Sequence, residues 1–141
     1  MMLELAAILE IANKILGVAS EIFGLRDRFK SAKEERRKAI SAYFLKLSET
    51  LSRAATSLEK GIYPHGDCQA MLTYSEMLSA TIGDIIDPKL VSKWQQVLIS
   101  SHRLEVLIQV KGDKEREDVI AKLRGSAGMF EAVAYSMLAA A

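Results

Sequence analysis

The residues with the clearest chemical potential lie together in one short stretch, IYPHGDC. His65, Asp67 and Cys68 carry an imidazole, a carboxylate and a thiol, which are groups that ligate zinc or form a thiol nucleophile with its base. A zinc site needs a fourth ligand, and the one other histidine in the chain is His102. A turn explains the stretch at least as well, because the proline fixes the backbone and Asp67 can cap the following helix. We therefore predict no metal site in this chain.

Other catalytic motifs are equally weak. The tetrapeptide GSAG at 125–128 lacks the G-x-S-x-G pattern of a nucleophilic serine and the strand that precedes it. The sequence has neither a P-loop nor a G-x-G-x-x-G nucleotide-binding pattern. Cys68 has no candidate base except the nearby His65, and a lone cysteine is most often a packing residue. We therefore predict a protein that is not an enzyme and needs no cofactor.

The composition favours helices over strands. Half of the 141 residues are hydrophobic, which is enough for a substantial core, and only 6% are aromatic. Two prolines and eight glycines, together with abundant alanine, leucine and isoleucine, are typical of a helical protein. The net charge of +1 gives no overall attraction to nucleic acid. A single cysteine excludes an internal disulfide and suits a reducing compartment such as the cytoplasm.

The spacing of apolar residues predicts an all-α bundle of about five helices in a single domain, residues 1–141. One long helix is predicted over about 27–60, because no proline interrupts it and Gly61 follows as a C-terminal cap. Asp87 and Pro88 form the strongest helix-start signal in the chain. The ending SMLAAA carries no helix-stop signal, which is typical either of the N-terminal module of a longer protein or of a terminus that frays.

The first segment, MMLELAAILEIANKILGVASEIFG, is the most informative one. A secretory signal needs a basic start, but the first charge here is the acidic Glu4. A membrane-spanning helix needs about 20 nearly uncharged residues, and Glu10, Lys14 and Glu21 interrupt this segment. When the segment is wound as a helix, its polar residues from Glu10 onward fall within an arc of about 120° and apolar residues cover the remainder. That apolar arc is wider than a surface helix normally shows.

Two interpretations fit this pattern, because both require the same apolar surface. In the first, the segment is an ordinary core helix of the bundle. In the second, it packs in one state and enters a bilayer in another. In either interpretation Glu4 lies on the apolar side in the first turn, where the helix dipole favours a carboxylate and partly offsets its burial. The residues predicted to insert are Glu4, Leu5, Ile8, Leu9, Ile15 and Leu16.

Residues 26–38, RDRFKSAKEERRK, form a basic segment directly after the apolar helix. It holds seven basic residues against three acidic ones, an excess of four, whereas the whole chain has a net charge of +1. The plain interpretation is a solvated helix face with pairs such as Glu34 and Lys38. The functional interpretation is contact with anionic lipid headgroups, at about 1 kcal/mol per basic residue. The residues predicted for this contact are Arg26, Arg28, Lys30, Lys33, Arg36 and Arg37.

The order of these elements resembles the HeLo-type helical domains. An apolar helix starts at the first methionine, a basic-rich long helix follows it, and further helices complete the chain. The fungal HeLo and HeLo-like domains and the bacterial Bell domains share this order, and the mixed-lineage kinase domain-like executioner and plant resistance-protein helical domains are similar in architecture. The specific part of the resemblance is LAAILEIANKILGVASEIFGLRDRF, residues 5–29. As in fungal members, an apolar segment rich in small residues precedes charged sequence.

The resemblance implies a cell-death effector that permeabilises membranes. An upstream signalling partner would cause homo-oligomerisation, and the released first helix would act on anionic lipids. The protein would be cytoplasmic and would move to the inner face of the plasma membrane on activation. Glu4 matches the acidic residue that some members carry near the start of that helix. Glu10, Lys14 and Glu21 depart from the family pattern and favour interfacial insertion or a polar-lined oligomer over a simple membrane span.

A second hypothesis needs no membrane. The bundle would present a groove or an amphipathic face to a partner helix and would act as a protein–protein interaction adaptor. The periodicity of the sequence is compatible with both hypotheses.

Overall fold

The computed structural model describes residues 2–109 and 113–139, and the regular elements in these ranges are helical. This confirms the prediction of an all-α helical bundle. The buried apolar side chains form one cluster, to which every helix contributes. In chain order the elements are α1 (Met2–Gly24), α2 (Arg26–Lys30), α3 (Glu34–Glu59), α4 (His65–Ile82), α5 (Pro88–Ile99), a 3₁₀ segment (Ser100–Gln109) and α6 (Asp113–Ala139).

The long helix begins later than the predicted residue 27, since the chain turns at residues 31–33 and α3 starts at Glu34. The turn brings Phe29 of α2 back onto the bundle, where its ring centroid lies 5.9 Å from that of Phe44. In a continuous helix, a separation of fifteen positions in the sequence would place the two residues about 22 Å apart. Burial of Phe29 therefore favours a short α2 folded over the bundle. The helix ends at Glu59, and Gly61 adopts the left-handed conformation expected of a C-terminal cap, with φ of +72°.

The central pair of the bundle is α3 and α6, which make the most extensive interhelix contact in the described ranges. The hydroxyl of Ser41 donates to the carbonyl of Ala134 at 2.9 Å, and that of Ser48 donates to the carbonyl of Ala127 at 2.7 Å. As one residue number rises the other falls, so the two helices are antiparallel. Small side chains at these crossings bring the backbones close.

Helix α4 packs on α3, and α5 packs on α4. Arg53 near the end of α3 binds Asp67 at the start of α4, which shows that these helices are antiparallel. The predicted start of α5 is confirmed, because the Asp87 carboxylate accepts a hydrogen bond from the Lys89 backbone N–H at 2.9 Å and Pro88 occupies the first turn.

The bundle has two distinct ends. We use "junction end" for the end that holds the α1–α2 junction at residues 24–26 and the α4–α5 turn at residues 83–87. Arg36 at the start of α3 reaches Asp84 in that turn, and Glu21 near the end of α1 reaches the middle of α5. The opposite end holds the start of α1, the α3–α4 loop and the start of α6.

Candidate functional site

Helix α1 lies at the edge of the bundle, where it packs chiefly on α6 and less extensively on the 3₁₀ segment and α5. One side of the helix is buried and the opposite side faces solvent along its described length. The buried side chains are Ile8, Ile11, Ala12, Ile15, Val18, Ala19 and Ile22. The exposed residues are Glu10, Asn13, Lys14, Gly17, Ser20, Glu21 and Gly24. The structure therefore places α1 as an outer helix rather than between α3 and α6.

A third group of residues lies between these two faces. Leu9, Leu16 and Phe23 recur every seven residues, so they form one stripe along α1, and each is only partly buried. Leu16 meets α6 at Gly125, where a Cβ atom added to the glycine would lie 3.6 Å from the Leu16 Cδ1. The wide apolar arc of the sequence thus divides into a buried face and a partly wet stripe.

The residues predicted to insert into membranes fall into three classes. Ile8 and Ile15 are core residues of the packed bundle, with 2% and 0% of their surface exposed. Leu9 and Leu16 belong to the partly exposed stripe. Glu4 and Leu5 lie on the backbone of α1, but their side chains are outside the described residues.

Glu21 joins α1 to α5 through a carboxylate that has two partners. The Trp94 indole Nε1 donates to Glu21 Oε2 at 2.6 Å, and the Lys93 Nζ lies 3.8 Å from Glu21 Oε1. Trp94 is fully buried, whereas the side chain of Glu21 keeps 46% of its surface exposed. The other described charges of the α1 polar face, Glu10 and Lys14, pair with each other at 3.0 Å within the helix.

The Glu21–Trp94 contact could not be predicted from the sequence, because the two residues are separated by 73 positions. A weaker signal was present. A tryptophan on the buried stripe of α5 needs an acceptor for its indole N–H, so some polar residue had to face it. The sequence did not indicate which polar residue would accept this hydrogen bond. In the sequence, Glu21 stood out only as a charge that interrupts an apolar segment.

The first residues of the basic segment lie at the junction end. Arg26 caps α1 by donating to the Phe23 carbonyl at 2.8 Å, and its guanidinium carbon lies 4.1 Å from the centroid of the Phe23 ring. Lys30 pairs with Asp27 at 3.3 Å. Arg28 and Lys33 are exposed. The structure therefore presents Arg28 and Lys33 to solvent and engages Arg26 and Lys30 in local contacts.

The last two predicted basic residues hold the bundle together. Arg36 makes two hydrogen bonds to the Asp84 carboxylate, one of them at 3.0 Å, and also donates to the Thr81 carbonyl at 2.7 Å. These bonds from Arg36 hold the pKa of the Asp84 carboxyl below its usual range. Arg37 donates to the Ala32 carbonyl at 2.7 Å and thereby supports the turn between α2 and α3. Arg36 and Arg37 thus clamp α3 at the junction end, whatever their contact with lipid.

The cluster in IYPHGDC forms the entry to α4. Asp67 accepts a hydrogen bond from Arg53 Nε at 3.1 Å, Cys68 is buried, and His65 is exposed. Across residues 2–109 and 113–139, no three histidine, cysteine, aspartate or glutamate side chains converge as a metal site. The geometry of this cluster is that of a helix start tied to the end of α3.

In the described part of the chain, no helix combines the length and apolarity required to cross a bilayer. No family model, no curated protein and no solved structure matches the sequence or the fold of this chain.

Proposed function

We propose that this chain is a HeLo-like cell-death effector domain that permeabilises membranes through α1 after oligomerisation. On activation by a signalling partner, α1 leaves the bundle at the inner face of the plasma membrane. Anionic lipids and further copies of the chain are the partners of the released state. The chain has no enzymatic role in this account.

The observation that carries the proposal is the combination of a large apolar surface and an edge position in α1. The helix packs on α6, α5 and the 3₁₀ segment, whereas the contacts of α3 with α6 and α4, and of α4 with α5, do not involve it. Those contacts include the stacked rings of Phe44 and Phe130, whose centroids are 5.8 Å apart. The remaining helices therefore retain a core when α1 departs.

Release of α1 into water is strongly unfavourable. Exposing the five buried β-branched side chains of α1 to water costs a free energy on the order of 10 kcal/mol, at about 1.5–3 kcal/mol per side chain. Those residues are Ile8, Ile11, Ile15, Val18 and Ile22. A bilayer offsets most of this cost, since acyl chains are as apolar as the groove. Oligomerisation offsets the rest by concentrating several weakly inserting helices at one place.

The position of the junction supports the same account. Helix α1 runs directly into α2, so residues 24–26 would act as the pivot when α1 leaves the bundle. The N-terminal end of α1 would then swing outward, while the pivot stays at the junction end, which carries Arg28 and Lys33. Headgroup contact by these two residues would place the pivot at the lipid surface. Glu10, Lys14 and Glu21 then favour an α1 that lies at the interface or lines an oligomer with its polar face.

The test is dye release from anionic liposomes by the chain fused to a chemically induced oligomerisation tag. Leu9→Lys places a charge in the partly exposed stripe, so the bundle tolerates it but the inserted helix does not. We expect leakage to fall at least tenfold, and deletion of residues 2–10 to abolish it. Asn13→Lys is the matched control, because it adds the same charge to the exposed face of α1. Full leakage by Leu9→Lys, or no leakage by the oligomerised wild type, would contradict the proposal.

An adaptor is the second candidate, favoured by a groove between α3 and α4. Exposed alanines and a half-exposed methionine line the groove beside Lys46. Small residues of this kind permit close approach of a partner helix. Liposome sedimentation and size-exclusion chromatography separate the two functions. A chain that remains monomeric or dimeric and never sediments with vesicles, even when the tag is engaged, favours the adaptor.

A further inference from the structure

We propose that Glu21 is an autoinhibitory latch that holds α1 on the bundle through Trp94. This inference rests on the proposed function, since it concerns the release of the same helix. It assigns Glu21 a role that the apolar residues of α1 do not share. The latch is defined here as the Glu21 carboxylate and the Trp94 indole N–H, joined at 2.6 Å.

Trp94 is fully buried in the packed bundle, with 0% of its surface exposed. Its indole N–H is a donor that must find an acceptor or lose hydrogen bonding altogether. Glu21 supplies an ionised acceptor, which makes a stronger bond than a neutral one. Departure of α1 therefore strips the indole of its acceptor at the same moment as it opens the groove.

The latch differs from the apolar contacts of α1 in the bilayer. Acyl chains can replace the groove around Ile15 or Ile22 without loss, because dispersion contacts are not specific. At the interface or in a polar-lined oligomer, water can solvate the Glu21 carboxylate, but the Trp94 indole N–H loses the charged acceptor that it has in the packed bundle. Apolar packing is thus nearly neutral between the two states, whereas Glu21 favours the packed state specifically.

Lys93 adds little to this preference. Its Nζ lies 3.8 Å from Glu21 Oε1, and 66% of its side chain is exposed. Exposed pairs of this kind contribute weakly and are screened by salt. The directional bond to Trp94 is therefore the part of the contact that selects the packed state.

The chain provides its own reporter, because Trp94 is its only tryptophan. Without any membrane, we expect Trp94 fluorescence of the wild type to resist quenching by acrylamide. Release of α1 into water stays unfavourable in Glu21→Ala, but removal of the carboxylate uncovers the indole N–H locally, so the variant should raise the quenching constant and shift the emission to longer wavelength. Glu10→Ala is the matched control, because it removes a carboxylate from the same exposed face of α1. The partner of that carboxylate, Lys14, lies within α1 itself. Equal quenching of Glu21→Ala and the wild type would overturn the latch.

Hydrogen exchange separates loss of the latch from general unfolding. Glu21→Ala should speed exchange of α1 amides by about tenfold, the factor expected for losing a bond to a charged group, and leave α3 amides unchanged. Glu21→Gln keeps an acceptor oxygen, so the exchange rate of its α1 amides should lie between those of the wild type and Glu21→Ala. Equal acceleration in α1 and α3 would overturn the proposal, because it would show global destabilisation.

Dye release then distinguishes this inference from the proposed function. If both are right, Glu21→Ala permeabilises anionic liposomes at several-fold lower protein concentration than the wild type. Faster α1 exchange without leakage at any concentration supports the latch and overturns the membrane function. Leakage by the wild type that Glu21→Ala leaves unchanged, together with unchanged exchange, overturns the latch alone.

Discussion

At the scale of single residues, position on α1 decides which side chains could serve both the packed state and the proposed released state. Ile8 and Ile15 are committed to the core in the packed form, so a polar substitution there tests folding as much as insertion. Leu9 and Leu16 keep part of their surface exposed, so we expect their substitution to act mainly on the proposed released helix. Glu21 differs from both groups because its hydrogen bond to Trp94 exists in the packed state and would be lost in the proposed released state.

Two glycines give a prediction about stability that is independent of function. An added Cβ at Gly128 meets nothing within 4 Å, whereas one at Gly83 would lie 2.3 Å from the Ser79 carbonyl oxygen. Gly128→Ala should therefore stabilise α6 by about 1 kcal/mol, which corresponds to about 3 °C in Tm. Gly83→Ala should lower Tm, because its Cβ collides with backbone. Thermal unfolding followed by circular dichroism gives the two signs, and a shared sign would contradict this packing.

At the scale of elements, the sequence predicted the helix boundaries that are set by neighbouring residues and missed the boundary that is set by a distant contact. The Asp87–Pro88 start and the Gly61 stop are properties of a few neighbouring residues, and both lie where the sequence placed them. The turn at residues 31–33 could not be found in this way, because its cause is the burial of Phe29 against a distant Phe44. The charge count also contains no information on contacts. It therefore predicted six lipid-contacting residues in the basic segment and did not distinguish Arg36 and Arg37, which clamp α3.

The basic segment gives a prediction of its own. Arg28→Glu combined with Lys33→Glu should weaken cosedimentation with anionic liposomes more than tenfold, since each basic residue near the surface contributes about 1 kcal/mol. The structure should persist, because both side chains are exposed. Lys46→Glu, an exposed substitution in the middle of α3, serves as the control and should have little effect. Unchanged sedimentation of the double variant would show that this segment does not contact lipid.

At the scale of the whole molecule, the fold class followed from composition and periodicity, but the division of labour did not. The apolar arc of α1 is wider than a surface helix normally shows, yet α1 lies at the edge of the bundle and α3 at its centre. Which helix is peripheral depends on how the helices share one core, and no local pattern encodes that. The edge position of α1 is what makes its release physically reasonable, and membrane activity remains a proposal built on it.

The most direct test of that claim is to tie α1 to the bundle reversibly. The substitutions Leu16→Cys and Gly125→Cys, in a Cys68→Ala background, introduce one thiol on α1 and one on α6 at a point of contact. A Cβ added to Gly125 would lie 3.6 Å from the Leu16 Cδ1. The pair is joined by a disulfide or by a short reducible crosslinker, and dye release by the tag-oligomerised protein is measured before and after reduction. We predict no leakage from the crosslinked protein and recovery of leakage on reduction. Equal leakage from the crosslinked and reduced forms would contradict release of α1.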